Sequence, residues 1–372
     1  MKSLFDSTAI GSMSLKNRLW RSATWMKMAD EKGHLTERLE KVYLDLAEGG
    51  VGTIITGYTF VMEDEQPNPG MTGIYNDSFI PEYKALTDKV HGLGANIVMQ
   101  IVYGGSSTTF NTEDRLIWGP SAVEHPRTKV TPTAMTTDDI ATLVAAFAAA
   151  AGRVKAAGFD GVQFHGAHNY MFGQFLTPFF NRRDDAYGGP IENRGRLIFE
   201  ALEAVRGAVG PDYPVFIKMH CTDDWDEGGL TEDESLYMAQ ELEKRGISGI
   251  EFSGGTQVPV PQPNTGTIRK GILKQENQSY FAETTARIAK HLNIPVISVG
   301  GNRNPDKMEQ ILNDTTIDYF SMARPLLSEP ALVNRWEQGD RSEPRCVACI
   351  KCFDADGNCC VLDREKKEEV EA

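Results

Sequence analysis

Two histidines, His165 and His168, stand three residues apart at the end of a strand-like segment, FDGVQFHG (159–166). In a turn that directly follows a strand, both imidazoles can converge on one point. Two N–H donors at that point would polarise a carbonyl group and stabilise the enolate that develops from it. The same side chains could instead bind a metal ion or satisfy local backbone groups, so their spacing alone leaves three interpretations open.

The carboxyl-terminal region concentrates five of the six cysteines, as C-x2-C-x2-C-x6-C-C at Cys346, Cys349, Cys352, Cys359 and Cys360. Thiolates at such spacing can bind zinc or an iron–sulfur cluster. We favour free or redox-labile thiols, with a bound cluster or zinc as the alternative. Disulfides are the least favoured state, because a chain of this size with few cysteines and no signal peptide indicates a reducing compartment, the cytoplasm.

Eight strand-like segments alternate with helical patterns and would position these side chains. Several segments are nearly continuous apolar runs, as expected for parallel strands that are covered on both faces. The alternation predicts an α/β fold of the (β/α)8 TIM-barrel type, with a doubly wound sheet as the alternative. The strand-like segments are 17–24, 52–57, 95–102, 159–166, 214–220, 247–255, 294–301 and 317–324, and helical patterns occur at 35–50, 136–158, 230–246, 280–292 and 304–314.

In such a barrel, the active site is built at the carboxyl ends of the strands. The residues at the predicted ends are polar and rich in glycine, which favours a site for a large, planar, anionic ligand. Lys218 alone could instead form a Schiff base, although nothing else in the chain supports an aldolase. The predicted strand ends are Ala23-Thr24-Trp25, Thr56-Gly57-Tyr58, Gln100, His165, Lys218, Ser253-Gly254, Gly300-Gly301 and Ala323-Arg324.

Composition narrows the classes of function. The 372 residues carry a formal net charge of −14 at pH 7, which disfavours binding to nucleic acid or to an anionic membrane surface. The longest apolar stretch, 143–158, contains Arg153 and Lys155 and is shorter than the roughly 20 apolar residues of a membrane span. We therefore expect a small-molecule substrate and no membrane or nucleic-acid partner.

The segment HGAHNYMFGQFLTPFFNRRDDAYGGPIENR (165–194) resembles the signature of the old yellow enzyme family of flavin-dependent ene-reductases and NAD(P)H:flavin oxidoreductases. A His-x-x-His pair, a tyrosine two residues later, QFL-x-P, N-x-R-x-D-x-Y-G-G and ENR occur in the order typical of the family. The first strand, Gln100 and ARPLLSEP (323–330) extend the resemblance over most of the chain. In character the chain is closest to the barrel domain of the iron–sulfur dienoyl-CoA reductase branch.

The resemblance implies a TIM barrel that holds FMN, which NADH or NADPH reduces and which passes a hydride to the β-carbon of an activated enone, enal or enoate. It gives His165 and His168 the role of carbonyl-binding donors and Tyr170 that of the proton donor. Gln100 would bind the pyrimidine edge of the flavin, Lys218 would lie near N1 and O2, and the residues from Gly300 onward would bind the phosphate. The expected FMN-binding residues are Ala23, Thr24, Trp25, Tyr58, Gln100, Lys218, Gly300, Gly301, Ala323 and Arg324.

Three positions depart from the family pattern. Trp25 stands where many members place Thr or Cys against the flavin, Tyr103 stands where a histidine is common, and Lys27 replaces a tyrosine of one subgroup. The predicted domains are the FMN-binding barrel, 1–340, and a cysteine-rich segment with a charged tail, 341–372. A homo-oligomer is expected, because relatives often complete the site with a residue from a neighbouring subunit.

Two other functions are consistent with the same residues. One is an NAD(P)H:flavin or acceptor reductase, or a related demethylase, without specificity for alkenes. The other is a flavin-binding scaffold whose cysteine segment binds metal and recruits a partner. The intact set of His165, His168 and Tyr170 argues against the scaffold.

Overall fold

Eight parallel strands close into a barrel in the computed structural model, which describes residues 1–113, 115–225, 227–260, 266–353 and 357–364. Each strand pairs with the next in chain order, and the last pairs with the first, with Phe320 opposite Leu19. The predicted (β/α)8 barrel is confirmed, and the doubly wound alternative is wrong. The strands are β1 Leu19–Arg21, β2 Thr53–Ile55, β3 Asn96–Val102, β4 Gly161–Gly166, β5 Val215–His220, β6 Gly249–Ser253, β7 Val296–Val299 and β8 Tyr319–Met322.

Helices follow the strands and cover the outside of the barrel. All five predicted helical patterns are helices, and three further ones, α2, α4 and α8, complete the ring. Their amino termini show the expected capping: Thr136 and Thr231 each form a capping box that begins α3 and α5. The helices are α1 Glu37–Glu48, α2 Ile80–Gly92, α3 Thr137–Ala156, α4 Arg196–Val209, α5 Glu232–Lys244, α6 Ala282–Ala289, α7 Pro305–Asp314 and α8 Leu332–Glu337.

Shorter elements lie in the loops. Three short helices flank the ring, at Met171–Leu176 and Ile191–Arg194 after β4, and at Arg324–Ser328 after β8. Thr59–Phe60 adds a short strand beside β3, and Trp118–Gly119 pairs with Thr133–Ala134. No helix in the described ranges combines the length and the apolar character needed to cross a membrane.

An amino-terminal hairpin closes one end of the barrel. Its strands, Thr8–Ile10 and Met13–Leu15, pair in antiparallel. The buried side chains of Ile10, Met13 and Leu15 pack against Trp20 and Phe216 inside the barrel. Because this end is filled by apolar side chains, the polar residues at the opposite, carboxyl ends of the strands are the ones that can form a site.

The cysteine-rich segment folds back onto that open end. The backbone N–H of Asn358 donates to the carbonyl of Met26 at 2.7 Å, and its side-chain amide donates to the carbonyl of Trp25 at 2.6 Å. Glu343 accepts a hydrogen bond from Arg303 at 2.8 Å. The predicted segment is thus attached to the loop after β1; most of the predicted charged tail, 365–372, lies outside the described residues.

Candidate active site

The turn after β4 carries the three predicted catalytic residues. His165 lies in β4, and His168 and Tyr170 follow it before the helix Met171–Leu176. His168 and Asn169 both adopt left-handed backbone conformations, with φ of 58° and 57°. Such conformations cost about 1–2 kcal/mol per non-glycine residue, so contacts with the rest of the barrel must hold the turn.

His220, the last residue of β5, supplies one such contact. Its Nε2 accepts the backbone N–H of His168 at 2.8 Å, and its Nδ1 lies 2.5 Å from Oδ1 of the buried Asp223. A carboxylate can only accept, so Nδ1 carries the proton and Nε2 is free to accept. Gln257 also fixes the turn, because its Nε2 donates a hydrogen bond to the carbonyl of His168 at 2.7 Å.

The side chains of the turn converge. The ring centroids of His165 and His168 are 5.2 Å apart and nearly perpendicular, and that of Tyr170 is 4.7 Å from His165. Burial, reinforced by the charge of Lys218, holds the pKa of both histidines well below the usual value of 6.5. Both imidazoles are therefore neutral near pH 7, and each keeps one N–H to donate. The Nδ1 atom of His165 is buried and has no hydrogen-bond partner among the described residues.

Tyr170 is linked to residues that the sequence did not single out together. The side-chain amide of Asn68 donates to the hydroxyl of Tyr58 at 3.2 Å and to that of Tyr170 at 3.3 Å. The two phenol rings lie 5.2 Å apart, and their hydroxyls also share a hydrogen bond. Asn68 was missed because its only sequence signal, the stretch QPNPG, is typical of a turn.

Lys218 lies in a buried polar network inside the barrel. Its Nζ donates to the hydroxyl of Ser22 at 2.8 Å and lies 3.4 Å from Oε1 of Glu251, which is fully buried. Gln163 donates to the other carboxylate oxygen at 3.0 Å and accepts from Gln100 at 2.7 Å. Sequence reasoning missed Glu251, although a carboxylate within the otherwise apolar strand GIEFS is a signal of a paired, buried charge.

The loops after β1 and β2 place the next four predicted residues beside the turn. Trp25 donates from Nε1 to the carbonyl of Pro69 at 3.1 Å, and Thr24 donates to the carbonyl of Ser22 at 3.0 Å. Ala23, Thr24, Trp25 and Tyr58 are all partly exposed at this end of the barrel. The ring of Tyr58 lies 5.8 Å from that of His165, which brings the β2 loop to the histidine turn.

The ends of β7 and β8 form a separate, glycine-lined edge. Gly300 and Gly301 have φ of 113° and 74°, conformations that favour glycine, and a Cβ on either would lie under 3 Å from the ring of Tyr280. Next to them, Ala323 accepts a hydrogen bond from Arg21 through its carbonyl. The Nη1 atom of Arg324 is buried and lacks a partner among the described residues.

Four of the five carboxyl-terminal cysteines face one small cavity. Cys346, Cys349, Cys352 and Cys360 line it together with Arg324, whereas Cys359 does not. Burial and the neighbouring thiols raise the pKa of Cys352. All six cysteines are free, and within the described residues no three metal-binding side chains are close enough to share a single ion.

Comparison with known proteins identifies the family. The sequence profile of the NADH:flavin oxidoreductase / NADH oxidase family matches residues 3–343. This chain belongs to that family. It is 33% identical over 354 residues to an NADH oxidase of Thermoanaerobacter brockii, covering 94% of this chain and 53% of that protein. It is also 32% identical over 328 residues to an NADPH dehydrogenase of Halalkalibacterium halodurans, covering 88% and 91%.

Solved structures agree with the family assignment. A 2-naphthoyl-CoA reductase superposes with a TM-score of 0.87 at 25% identity, covering 94% of this chain and 54% of that one. Morphinone reductase superposes with a TM-score of 0.76 at 26% identity, covering 92% and 91%. The predicted membership of the old yellow enzyme family is confirmed, and the first match agrees with the expected likeness to the dienoyl-CoA reductase branch. This chain spans about half the length of the first curated relatives that it matches.

The residues present fit the FMN that the family implies. At the glycine edge, Arg324 Nη1 is a buried polar atom without a hydrogen-bond partner among the described residues. An arginine and exposed backbone at a glycine turn are suited to a phosphate. Lys218 and Gln100 offer a cation and an amide from the strands between them, as the edge of a flavin ring requires.

Proposed function

We propose that this family member is an FMN-dependent NAD(P)H oxidoreductase that reduces the C=C bond of activated alkenes, namely enones, enals or enoates. The observation that carries the proposal is the convergence of His165, His168 and Tyr170 on one point at the open end of the barrel. Two neutral N–H donors and one phenol are the groups needed to bind a carbonyl and to protonate the carbon beside it.

FMN, when bound, supplies the hydride chemistry between NADH or NADPH and the alkene. His165 and His168 bind the substrate carbonyl through their N–H groups and stabilise the negative charge that develops on its oxygen. Removing one such donor costs about 2.7–4 kcal/mol of transition-state stabilisation. Tyr170 donates its hydroxyl proton to the α-carbon of the substrate.

The flavin-binding part of the proposal assigns each strand end a role. Gln100 and Lys218 bind the polar edge of the ring, and the loop residues and the glycine edge hold its other parts. Their positions at one end of the barrel support this assignment, because a single ligand can reach all of them. The loop contacts are Ala23, Thr24, Trp25 and Tyr58, and the phosphate contacts are Gly300, Gly301, Ala323 and Arg324.

The names of similar proteins agree with this substrate class. A morphinone reductase and a naphthoyl-CoA reductase both act on compounds that carry a carbonyl group, and both superpose on this chain. NADH and NADPH each appear in the names of relatives, so either nucleotide is a candidate reductant. A small-molecule substrate, a homo-oligomer and a cytoplasmic location stay predictions.

The first test is anaerobic absorbance spectroscopy of the purified protein. We expect a flavin spectrum that bleaches with NADH or NADPH and returns on addition of cyclohexenone. In Tyr170→Phe the bleaching should persist and the return should slow by about 100-fold or more, within the range of general acid catalysis. Bleaching without any return on cyclohexenone would favour an acceptor reductase without alkene specificity, and a protein that binds no flavin would refute the proposal.

A second cofactor proposal concerns the cysteine cavity. Four cysteines line one space, and no three of them can share a single ion within the described residues. An iron–sulfur cluster, whose thiolates bind different iron atoms, therefore fits the cavity better than one zinc ion. Iron and acid-labile sulfide should co-purify with the chain and should be lost in Cys349→Ser. The matched control is Cys221→Ser, since Cys221 lies buried in the barrel. Anaerobically purified protein without iron would leave the free thiols that we first favoured.

A further inference from the structure

The hydroxyl of Tyr170 lies within hydrogen-bonding reach of two side chains. The side-chain amide of Asn68 donates to it at 3.3 Å, and the hydroxyl of Tyr58, which bonds to it while both phenols are protonated, must donate once Tyr170 is a phenolate. Asn68 and Tyr58 both come from the loop after β2, ten positions apart, and Tyr170 comes from the turn after β4. Two distant parts of the chain thus meet at the phenol oxygen of Tyr170.

The amide of Asn68 is held in the orientation that makes it a donor. The hydroxyl of Thr109 donates to its Oδ1 at 2.5 Å, which leaves Nδ2 to face both phenols. The backbone N–H of Thr109 donates to the carbonyl of Pro67 at 2.7 Å, so Thr109 joins the loop after β3 to the loop after β2 at both Pro67 and Asn68. Asn68 is 6% exposed and Tyr170 is 7% exposed, so little water reaches either group.

We propose that Asn68 and Tyr58 are positioning residues for the proton-transfer step, which stabilise the phenolate that Tyr170 becomes when it gives up its proton. This inference rests on the proposed function, in which Tyr170 is the proton donor. It assigns a role to two side chains that do not themselves touch the carbon that receives the proton.

The chemistry of the step explains why two donors are needed. The O–H bond of Tyr170 breaks, a C–H bond forms at the α-carbon, and the electron pair of the broken bond stays on the phenol oxygen as a negative charge. A buried, unpaired charge is costly unless hydrogen bonds compensate it. The Asn68 amide and the Tyr58 hydroxyl both donate to that oxygen, and the phenolate later regains a proton from solvent.

Other ionisable groups around Tyr170 complete the electrostatic setting. Tyr58 and the buried Glu65 approach from the β2 side, Arg127 approaches from the loop after β3, and His165 lies 4.7 Å away ring to ring in β4. Burial raises the pKa of Tyr170, and the hydrogen bonds from Tyr58 and Asn68 lower it. The two donors therefore oppose the effect of burial.

Kinetics of the two half-reactions test the proposal. In Tyr58→Phe and in Asn68→Leu, return of the flavin spectrum with cyclohexenone should slow by about 10–100-fold, the value of one hydrogen bond to a charged group. In Asn68→Leu, bleaching by NADH or NADPH, and return with dioxygen as the acceptor, should change by less than about twofold. The matched control is Tyr83→Phe, which also removes a buried phenol hydroxyl, but one whose hydrogen bond goes to the carbonyl of Gly73 instead of to Tyr170. Equal slowing with cyclohexenone and dioxygen would overturn the proposal.

A titration separates this inference from the proposed function. We would incorporate 3-fluorotyrosine into the FMN-loaded protein, assign the Tyr170 signal by its loss in Tyr170→Phe, and follow the fluorine shift with pH. The midpoint for Tyr170 should rise by about 1–2 pH units in Asn68→Leu and in Tyr58→Phe. An unchanged midpoint in both variants would overturn the inference even if the enzyme reduces alkenes. A raised midpoint in a protein that reduces no alkene would refute only the proposed function.

Discussion

The ion pair with Glu251 reduces the net positive charge that Lys218 can present to a flavin. A lone lysine beside a flavin would present a full positive charge. Glu251 is fully buried, lies 3.4 Å from the lysine nitrogen and accepts hydrogen bonds from Ser22 and Ser321 at 2.7 and 2.6 Å. The site therefore holds a cation whose charge is largely compensated at close range.

Replacing Glu251 by Gln should make the bound flavin easier to reduce. The substitution removes a negative charge next to Lys218, so a more positive environment stabilises the negative charge of the reduced flavin. We expect the midpoint potential to rise by about 30 mV or more, since 30 mV in a two-electron couple corresponds to about 1.4 kcal/mol. Dye-equilibrated photoreduction measures the potential. Lys218→Met is the opposing control and should lower it; a rise in both variants would contradict this reasoning.

Stability should depend on pH through His165 and His168. Both have a pKa well below 6.5 in the folded protein because they are buried near Lys218. The unfolded chain binds protons at these histidines that the folded chain excludes, so the free energy of unfolding falls as pH drops below about 6.5, by up to about 1.4 kcal/mol per pH unit for each histidine. Urea denaturation at several pH values should show a shallower fall in His168→Asn. Parallel curves would show that His168 does not take part.

Sequence reasoning succeeded at the residue scale where the partners are contiguous. His165, His168 and Tyr170 are placed together by a single turn, so their spacing predicts their meeting. Asn68 reaches Tyr170 only because the barrel brings two loops together, and the two residues are 102 positions apart in the sequence. No local pattern encodes such a contact.

At the scale of elements, the turn after β4 is the segment under the greatest backbone strain in the site. Two consecutive left-handed residues, His168 and Asn169, are held by hydrogen bonds from β5 and from the loop after β6. His220 holds the backbone of His168, and Asp223 fixes the tautomer of His220. The orientation of one imidazole of the site thus depends on the end of the neighbouring strand.

His220→Leu should therefore weaken both the turn and the reaction. The backbone N–H of His168 would lose its acceptor, which costs about 1–3 kcal/mol for a buried group. We expect that loss in the free energy of unfolding, together with slower return of the flavin spectrum with cyclohexenone at unchanged bleaching. His220→Gln places an acceptor near the position of Nε2 and should recover part of both losses. Identical behaviour of the two variants would rule out this role for the acceptor.

The elements themselves were largely predictable. All eight strands lie within the predicted segments, because continuous apolar runs ending in glycine or polar residues are typical of parallel strands. Helices α2, α4 and the short α8 were not predicted. The sequences of α2 and α4, 80–92 and 196–209, follow long loops that carry their own short helices, and those insertions obscure the simple alternation.

At the scale of the whole molecule, the two termini of the described chain serve opposite ends of the barrel. The amino-terminal hairpin fills one end with apolar side chains. The cysteine-rich segment instead lies over the open end, where Asn358, 1% exposed, binds the carbonyls of Trp25 and Met26. Arg324 lines the cysteine cavity and also lies at the glycine edge. The segment and the proposed flavin site therefore share side chains.

Asn358→Ala should weaken FMN binding. Without the side-chain hydrogen bond, the loop from Ala23 to Met26 is less firmly held in position. A loss of about 1.4 kcal/mol of binding free energy would raise the dissociation constant of FMN about tenfold. Recovery of flavin fluorescence on dilution measures this affinity. Asn313→Ala, which breaks contacts with Lys2 on the far side, is the matched control and should bind FMN normally. Equal affinity in the two variants would show that the contact is only structural.

The hydrogen bond from Asn358 to Trp25 also determines when, during synthesis of the chain, the flavin site can be completed. Ribosomes release a chain from its amino terminus at about 5–20 residues per second, so the loop after β1 leaves the exit tunnel more than three hundred residues before its partner does. Strand β1 also cannot pair with β8, its second neighbour in the barrel, until β8 has been synthesised. Binding of FMN at full affinity is therefore expected only after translation has passed residue 358, and a nascent chain stalled before β8 should emerge without its flavin.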